Sequence, residues 1–389
     1  MSGGHPLARM TLAHNGITGV GGVDFDTGDL AFAPSGLQPS QLTPLVDDVV
    51  QAPVSGSARF TGRFAWDPAL PDGSSQGRLV IPGIDFTSPA GPVRGLKGTV
   101  DFTSLAPVLT APDQVLHVDG LETVTPLTDL DLTFDIDVAA IRVDGGAIRM
   151  AGGVVSVEPF FVPLDLTQPT QGVIVLDQVQ LGDIVKGAGL GDKLKLDAVV
   201  SGRIPFSYDP ANGAKIIGGT LSAIQSGRLS IPREALADMD AGGGGAIPPN
   251  TVEDLAYQAM ENLSFDALSA DLNSLDQGRI GVLFHIKGRH DPPERQELRL
   301  TIPELISRDF LNRPLPLPSG TGIDLTLDTT LNLNQVISDL LAVNRARAGE
   351  ADAQAADPAP ADPVPAAPGP APVSGATNSA DSTASPSVP

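Results

Sequence analysis

The chain of 389 residues carries 24 Lys and Arg against 46 Asp and Glu, a formal net charge of −22. Such a polyanion repels phosphate backbones, which argues against a nucleic-acid partner and against docking on an anionic lipid surface. The absence of cysteine excludes disulfides, thiolate catalysis and cysteine-ligated metal sites.

The sequence of the first half of the chain predicts mainly strands. A short helix is predicted at 41–50, and alternation at 59–66 (RFTGRFAW) predicts the first clear half-buried strand. PDG at 71–73, DGG at 144–146 and AGG at 151–153 predict hairpin turns.

The stretch 129–138 (DLDLTFDIDV) alternates most regularly. Leu130, Leu132, Phe134, Ile136 and Val138 fall on one face of the predicted strand, and four aspartates fall on the other. Same-face carboxylates on a strand lie about 6.8 Å apart, too widely spaced for one cation without help from neighbouring strands. The acidic face is therefore interpreted as a solvated wall, with a shared cation site as the alternative.

The second half combines short helices with further strands. LGDIVK at 181–186 predicts a short helix that ends at the glycines of 187–191. Alternation predicts strands at 193–208, 280–286 and 323–333. A helix at 251–262 is expected to place Leu255, Ala256, Ala259 and Met260 on its apolar side, after a glycine linker at 242–245.

The sequence of the C-terminal end indicates two different segments, a helix and a disordered tail. Residues 334–347 predict a last helix. The sequence at 344–389 is dominated by Ala, Pro, Ser and Asp, and it contains too few large apolar residues to offset the entropy of ordering. We therefore predict a structured domain at 1–343 and a disordered tail at 344–389.

No motif for catalysis or for a cofactor is evident in the sequence. Neither GxxxxGK[ST] nor GxGxxG occurs, and no nucleophile lies in a context that supplies a base. We predict that the protein is not an enzyme and needs no cofactor or metal. The informative surface is then the apolar face of the strands, which packs into a closed core or lines an open groove.

Six segments in order resemble the C-terminal part of the YdbH-like proteins of Gram-negative bacteria, which belong to the AsmA-like group with TamB and YhdP. The most characteristic pieces are TAPDQVLHVDGLETVTPLTD at 110–129, the AGG-x-V-x-x-x-P turn at 151–159 and the block 177–202. The ordered set carries the resemblance. Its segments are 55–67, 95–138, 148–159, 174–208, 218–231 and 263–290.

The resemblance implies a mainly β fold, a long curved antiparallel sheet that forms a taco-like groove, with a few short helices. It also implies a bridge that conducts phospholipid across the periplasm, in the cell envelope. The candidate lipid-contacting residues are Leu130, Leu132, Phe134, Ile136, Val138, Leu194, Leu196, Val200, Ile204, Phe206, Val282, Phe284, Ile323, Leu325 and Leu327.

The family pattern also includes an N-terminal inner-membrane anchor and a long first part of the groove, which we expect to lie outside this sequence. We therefore expect a segment of a longer bridge, or a subunit whose partner supplies the anchored part, with an outer-membrane protein as a further partner. Two other functions remain open. One is an envelope assembly domain that docks a partner without carrying lipid, and the other is dicarboxylate transport, which the charge of −22 disfavours.

Overall fold

The strands form because apolar and polar residues alternate along them, so that one face can be buried while the other remains in water. The computed structural model describes residues 7–43, 50–123, 125–165, 167–233, 252–299, 302, 306 and 315–332. These residues belong to one compact unit, Met1–Ala348. The predicted helices at 41–50 and 334–347, the 242–245 linker and the 344–389 tail lie partly or wholly outside the described residues. The domain boundary at 343/344 stays a prediction.

The described residues form 21 strands in one sheet. The first twelve strands are β1 Arg9–His14, β2 Gly21–Asp26, β3 Leu30–Phe32, β4 Gln51–Asp67, β5 Leu70–Ser88, β6 Gly91–Leu105, β7 Val108–Thr110, β8 Gln114–Leu121, β9 Leu127–Ile136, β10 Ala140–Met150, β11 Gly153–Val157 and β12 Phe160–Pro163. The remaining nine are β13 Thr170–Gln180, β14 Lys195–Asp197, β15 Val199–Asp209, β16 Gly213–Ile216, β17 Gly219–Ala223, β18 Gly227–Ser230, β19 Leu263–Ser274, β20 Arg279–His290 and β21 Gly322–Asn332.

Helical structure is sparse. The α-helices are α1 Leu181–Gly187 and α2 Val252–Glu261, and short 3₁₀ turns occur at Pro39–Gln41 and Asp276–Gly278. No helix in the described part of the chain is long and apolar enough to cross a membrane. The prediction of a mainly β fold with an antiparallel sheet and a few short helices is confirmed.

The pairing is that of a meander, in which each strand lies antiparallel to a strand close to it in the chain. The principal ladder runs β1–β2–β4–β5–β6–β8–β9–β10–β11–β13–β15–β17–β19–β20–β21. Short strands fill gaps beside it, with β14 paired to β18 and β18 to β19. Tight turns suffice for pairs that are consecutive in the chain, such as β4–β5 and β9–β10, whereas longer segments connect β2 to β4, β17 to β19 and β20 to β21.

Several predicted boundaries are wrong. The strand predicted at 193–208 is two strands, because Ala198 is buried at a break where β14 and β15 take different partners. The PDG and DGG stretches lie inside β5 and β10, and DGG marks a β-bulge between Val143 and Gly145. Val138 and Leu194 lie just outside the strands predicted to contain them. In α2, Leu255 is 37% exposed, and Tyr257 faces the core instead.

The main core lies where α1 and α2 cover the apolar face of the C-terminal strands. Val179, Val200, Leu263, Phe265 and Ile286 are its most deeply buried large side chains. Leu181 and Ile184 of α1 pack against this cluster. Tyr257 and Met260 of α2, together with Ile231, form a second cluster beside it that shares Leu229 and Leu325 with the first. This part of the sheet is therefore closed by protein.

The main core gives a stability prediction. Phe265 is 0% exposed, so Phe265→Ala should lower the free energy of unfolding by about 3–5 kcal/mol through lost apolar contact and a residual cavity. Val138 is 63% exposed, and Val138→Ala is the matched control, with an expected change within about 0.5 kcal/mol. Urea unfolding followed by circular dichroism measures both. Equal losses for the two variants would contradict the position of the core.

Candidate functional site

The apolar face of the sheet can be followed from strand to strand, because residues directly opposite in an antiparallel pair point to the same side. From β9 to β15 one such row is Leu132, Gly146, Val157, Ile174 and Ile204. These residues lie in five different strands, β9, β10, β11, β13 and β15.

A second row continues the face to the last strand. Gly202 lies two residues before Ile204 on β15 and therefore points to the same side. From Gly202 the row runs through Leu221, Ala270, Phe284 and Leu327. Apolar residues predicted separately in β9, β15, β20 and β21 thus lie on one face.

The register places thirteen of the fifteen candidate residues on this face. They are Leu130, Leu132, Phe134 and Ile136 in β9, Leu196 in β14, Val200, Ile204 and Phe206 in β15, Val282 and Phe284 in β20, and Ile323, Leu325 and Leu327 in β21. Val138, in the β9–β10 turn, and Leu194, before β14, do not belong to these strands.

The candidate residues differ in how deeply they are buried. Val200 and Val282 are 2% and 4% exposed and lie in closed clusters of apolar side chains. Leu132, Ile204 and Phe206 are half-buried, and Leu327 is exposed. The half-buried and exposed residues are accessible to a ligand without displacement of the core.

Sequence reasoning missed the aromatic residues of the N-terminal strands. Phe25 stacks on Phe60 with ring centroids 5.3 Å apart and on Phe64 at 6.0 Å. Phe60 meets Phe102 edge to face at 6.0 Å. A chain with only 4% aromatic residues thus concentrates several of them on the apolar face of β2, β4 and β6. The alternation of 59–66 was the available signal, but it could not show which rings meet.

Aromatic rings on this face lie over glycines of neighbouring strands. A Cβ built on Gly62 would be 2.2 Å from the Phe25 ring, and one on Gly21 would be 2.4 Å from the Trp66 ring. Phe206 covers Gly172 and Phe265 covers Gly227 in the same way. A ring that lies over a glycine projects less far from the sheet than a ring beside a branched side chain. This packing therefore limits how far the aromatic side chains project from the apolar face.

The opposite face carries cross-strand ion pairs, which the sequence alone did not reveal. Of the four aspartates of 129–138, Asp129 pairs with Arg149 at 3.2 Å, Asp135 with Arg142 at 2.8 Å and Asp131 with His117 at 2.7 Å. The interpretation of this face as a wall of solvated carboxylates therefore needs refinement. The side chains are largely exposed, but basic partners compensate most of the aspartates.

Similar pairs continue along the sheet. They are Arg63–Asp24, Arg59–Asp26, Arg78–Asp101, Lys97–Asp119, Arg203–Glu158, Lys287–Asp324 and Arg289–Asp266. Each exposed pair is worth only about 0.2–1 kcal/mol. Their main consequence is a charged face that disfavours association through the back of the sheet.

His117 lies at the centre of one such group. Its Nδ1 atom is 2.7 Å from Oδ1 of Asp131, and its Nε2 atom is 3.1 Å from Oδ1 of Asp119, which also pairs with Lys97. The hydrogen bond with Asp131 raises the pKa of His117, against an opposing effect of burial, and Asp119 raises it further. Lys97 has the largest effect on Asp119, whose pKa is lowered.

The chain belongs to the YdbH-like family. The model of that family, described as intermembrane phospholipid transport protein YdbH, matches residues 7–303 and so covers β1 to β20. No curated protein and no solved structure gives a significant match. Family membership assigns a role in lipid transport in the cell envelope.

The His117 group predicts a pH dependence. Because its folded pKa lies above the unfolded value of about 6.5, the group adds stability below that pH and loses it as the pH rises through the folded pKa. In NMR titrations, the His117 midpoint should lie above the ordinary value and should fall in Asp131→Asn. Asp137→Asn, which removes no partner of His117, is the control and should leave it unchanged. A midpoint unaffected by Asp131→Asn would contradict the assignment.

The glycine contact under Phe25 predicts a specific coupling. Gly62→Ala should destabilise the fold by about 1–3 kcal/mol, because the new Cβ overlaps the ring. In a Phe25→Ala background the same substitution should cost little, and a double-mutant cycle measures the difference. Gly145→Ala is the control, since nothing lies within 4 Å of its added Cβ. Additive effects of Gly62→Ala and Phe25→Ala would contradict the contact.

Proposed function

We propose that this chain is a segment of a bridge-like lipid transfer protein whose apolar face gives phospholipid acyl chains a groove between the inner and outer membranes. The observation that carries the proposal is the cross-strand register, which aligns apolar residues of β9 through β21 on one side. Membership of a phospholipid transport family supplies the substrate class.

Burial in the middle of the sheet supports a concave face. Val100, Val118 and Phe134 are 5–9% exposed. The helices contact β14, β18 and β20 but make no comparable contact with β6, β8 or β9 in the described part of the chain. Neighbouring strands that wrap towards one another would bury these side chains, whereas a flat single-layer sheet would leave them open to water.

The physical chemistry of such a face suits transfer more than tight binding. Each acyl CH₂ removed from water gains about 0.8 kcal/mol, so a continuous apolar face lowers the cost of leaving a bilayer. Rings that lie over glycines project little from this face, which favours movement of an acyl chain along it over tight binding at one position. Headgroups remain in water along the open side, and the ion-paired back of the sheet stays solvated.

Within this proposal the half-buried residues carry the contact with lipid. We assign it to Leu130, Leu132, Ile136, Ile204 and Phe206, with Leu327 on the last strand. Val200 and Val282 serve protein packing in the closed region. An inner-membrane-anchored partner that extends the groove, and an outer-membrane protein at its far end, complete the proposed route.

The closed core around Phe265 favours a second candidate function, an envelope assembly domain that docks a partner and carries no lipid. The two functions differ in one measurable property. A lipid-transfer segment purified from cells should retain phospholipid detectable by mass spectrometry, and a docking domain should not.

Adjacent residues of β9 provide the sharpest test. Leu132 and Asp131 are neighbours in the chain but lie on opposite faces. A photo-crosslinking residue at Leu132 should capture phospholipid in cells, and the same residue at Asp131 is the control that should not. Capture from Asp131 alone would reverse the face assignment, and capture from neither would favour the docking domain.

A further inference from the structure

One short sequence pattern occurs twice in the chain, each time at the end of a strand. Residues 64–69 read FAWDPA and residues 206–211 read FSYDPA. Each copy has a phenylalanine, a small residue, an aromatic residue that carries a hydrogen-bond donor, and Asp-Pro-Ala. The chain contains one tryptophan and two tyrosines, and two of these three residues, Trp66 and Tyr208, occupy the same position of the pattern.

The aspartate of each copy ends its strand in the same way. Oδ1 of Asp67 accepts a hydrogen bond from the Ala69 N–H at 2.9 Å, and Oδ1 of Asp209 accepts one from the Ala211 N–H at 2.8 Å. Such a bond from the backbone two residues further on stabilises a turn. β4 and β15 therefore end at these aspartates, and the aromatic donor residue takes the next-to-last position of each strand.

Trp66 and Tyr208 point to the same face of the sheet. Phe60 lies on the same side of β4 as Trp66, and Ile204 lies on the same side of β15 as Tyr208. From Phe60 a row of residues crosses to β9, with one step of two residues along β6, and it ends where the row to Ile204 begins. Its members are Phe60, Leu79, Val100, Gly98, Leu116 and Leu132.

The two residues also lie at the same rim of the sheet. The ladder β4–β5–β6–β8–β9–β10–β11–β13–β15 contains eight antiparallel pairings. An even number of reversals leaves β4 and β15 with the same direction, so the turns that follow them share one rim, which we call the aromatic rim. At about 4.8 Å per strand, Trp66 and Tyr208 are about 38 Å apart along it.

Both helices lie at the opposite rim. α1 follows the end of β13, which runs opposite to β15, and α2 precedes the start of β19, which runs in the same direction as β15. The protein therefore closes the apolar face of these strands from the side of the helices. The part of the face next to the aromatic rim stays accessible, since Phe206 and Ile204 are half-buried and Tyr208 is 51% exposed.

Polarity changes along each strand in the order in which it changes along a phospholipid. On the apolar face, Phe64 and Gly62 follow Trp66 inwards, and Phe206 follows Tyr208. In the described part of the chain, neither the indole N–H of Trp66 nor the hydroxyl of Tyr208 has a hydrogen-bond partner. Each strand thus presents an available donor at the rim and only apolar groups behind it.

The apolar stretch behind each donor has the length of an acyl chain. One leaflet contributes about half of a hydrocarbon core of about 30 Å, which equals about four or five residues of strand at about 3.3 Å per residue. Measured from Tyr208, this distance includes Phe206 and Ile204 and ends before Val200, which is 2% exposed in the closed core. An acyl chain that begins at Tyr208 therefore fits on the accessible part of β15.

We propose that Trp66 and Tyr208 bind the boundary between the headgroup and the acyl chains of a phospholipid at the aromatic rim. The indole N–H and the phenol O–H donate hydrogen bonds to phosphate or ester oxygens, and the rings contact the first acyl carbons. Tryptophan and tyrosine occupy the same boundary in membrane proteins. The proposal rests on the proposed lipid-transfer function and adds an orientation to it, with headgroups at one rim and acyl chains directed towards the other.

The fluorescence of Trp66 tests this orientation, because Trp66 is the only tryptophan of the chain. The full chain is incubated with phosphatidylcholine vesicles and then separated from them. The lipid carries bromine, which quenches fluorescence, on either the sixth and seventh or the eleventh and twelfth acyl carbons. Bromine near the ester should quench Trp66 more strongly than bromine near the chain end. This order should reverse in Trp66→Phe/Phe60→Trp, which moves the tryptophan away from the rim along the same face.

Trp66→Phe/Phe161→Trp is the matched control for the face. Phe161 is 61% exposed and lies opposite Arg142 on the charged face, so the tryptophan of this variant should not be quenched. Three results would overturn the orientation: stronger quenching of Trp66 by bromine near the chain end, equal quenching by the two lipids, or quenching in the Phe161→Trp variant as strong as that of Trp66.

Removal of the two donors with retention of the rings tests the hydrogen bonds. Trp66→Phe/Tyr208→Phe should weaken the binding of a monomeric short-chain phosphatidylcholine about tenfold in calorimetry, the loss expected for one or two net hydrogen bonds. Ser207→Ala removes a hydroxyl from the adjacent residue on the opposite face and should leave the affinity unchanged. An unchanged affinity in the double variant, or an equal loss in Ser207→Ala, would contradict the role of the donors.

Failure of the proposed function gives a different result from failure of the orientation. If the chain carries no lipid, neither the wild type nor Trp66→Phe/Phe60→Trp is quenched, and mass spectrometry finds no co-purified phospholipid. If lipid co-purifies and quenches the Phe60→Trp variant, but Trp66 does not respond more strongly to bromine near the ester, lipid transfer stands and only the assignment to the aromatic rim is wrong.

Discussion

The rest of the structure depends on the cross-strand register. Strand side chains alternate with a period of two, so a slip of one residue in any pairing would move the apolar residues of the following strands to the charged face. Two sets of contacts fix the register: the apolar rows on one face of the sheet, and ion pairs such as Arg142–Asp135 on the other face. Because the two sets of contacts require the same alignment, each adds specificity to the other.

At the β-bulges one extra residue interrupts the pairing, but the apolar residues on either side stay on the same face. On β10 an extra residue between Val143 and Gly146 bends the strand, yet Phe134 and Leu132 still face these two positions. The same occurs on β19, where Phe265 and Leu268 both remain on the apolar side of a bulge. A bulge increases local twist without inverting a face, which allows a long sheet to curve while its apolar side stays continuous.

Sequence reasoning predicted the strands whose alternation is uninterrupted, as in 280–286 and 323–333, and the helix at 181–186, where glycines mark the end. It failed where tertiary contacts decide. The break at Ala198 depends on which strands lie beside β14 and β15, and the inward position of Tyr257 depends on a core formed by distant strands. The ion-pair partners of Asp129 and Asp131 could not be predicted for the same reason. Arg149 and His117 become neighbours of these aspartates only when the strands pair. The apolar face was therefore predictable within each strand, but the alignment of the strands and the division of the apolar residues between core and surface were not.

That division limits what a lipid can do on this face. The N-terminal strands present half-buried rings and leucines, whereas α1 closes part of the face of β13, β15 and β19 over Val179, Val200 and Phe265. An acyl chain that moves along the proposed groove loses its apolar path at this closure unless it leaves the sheet or displaces α1.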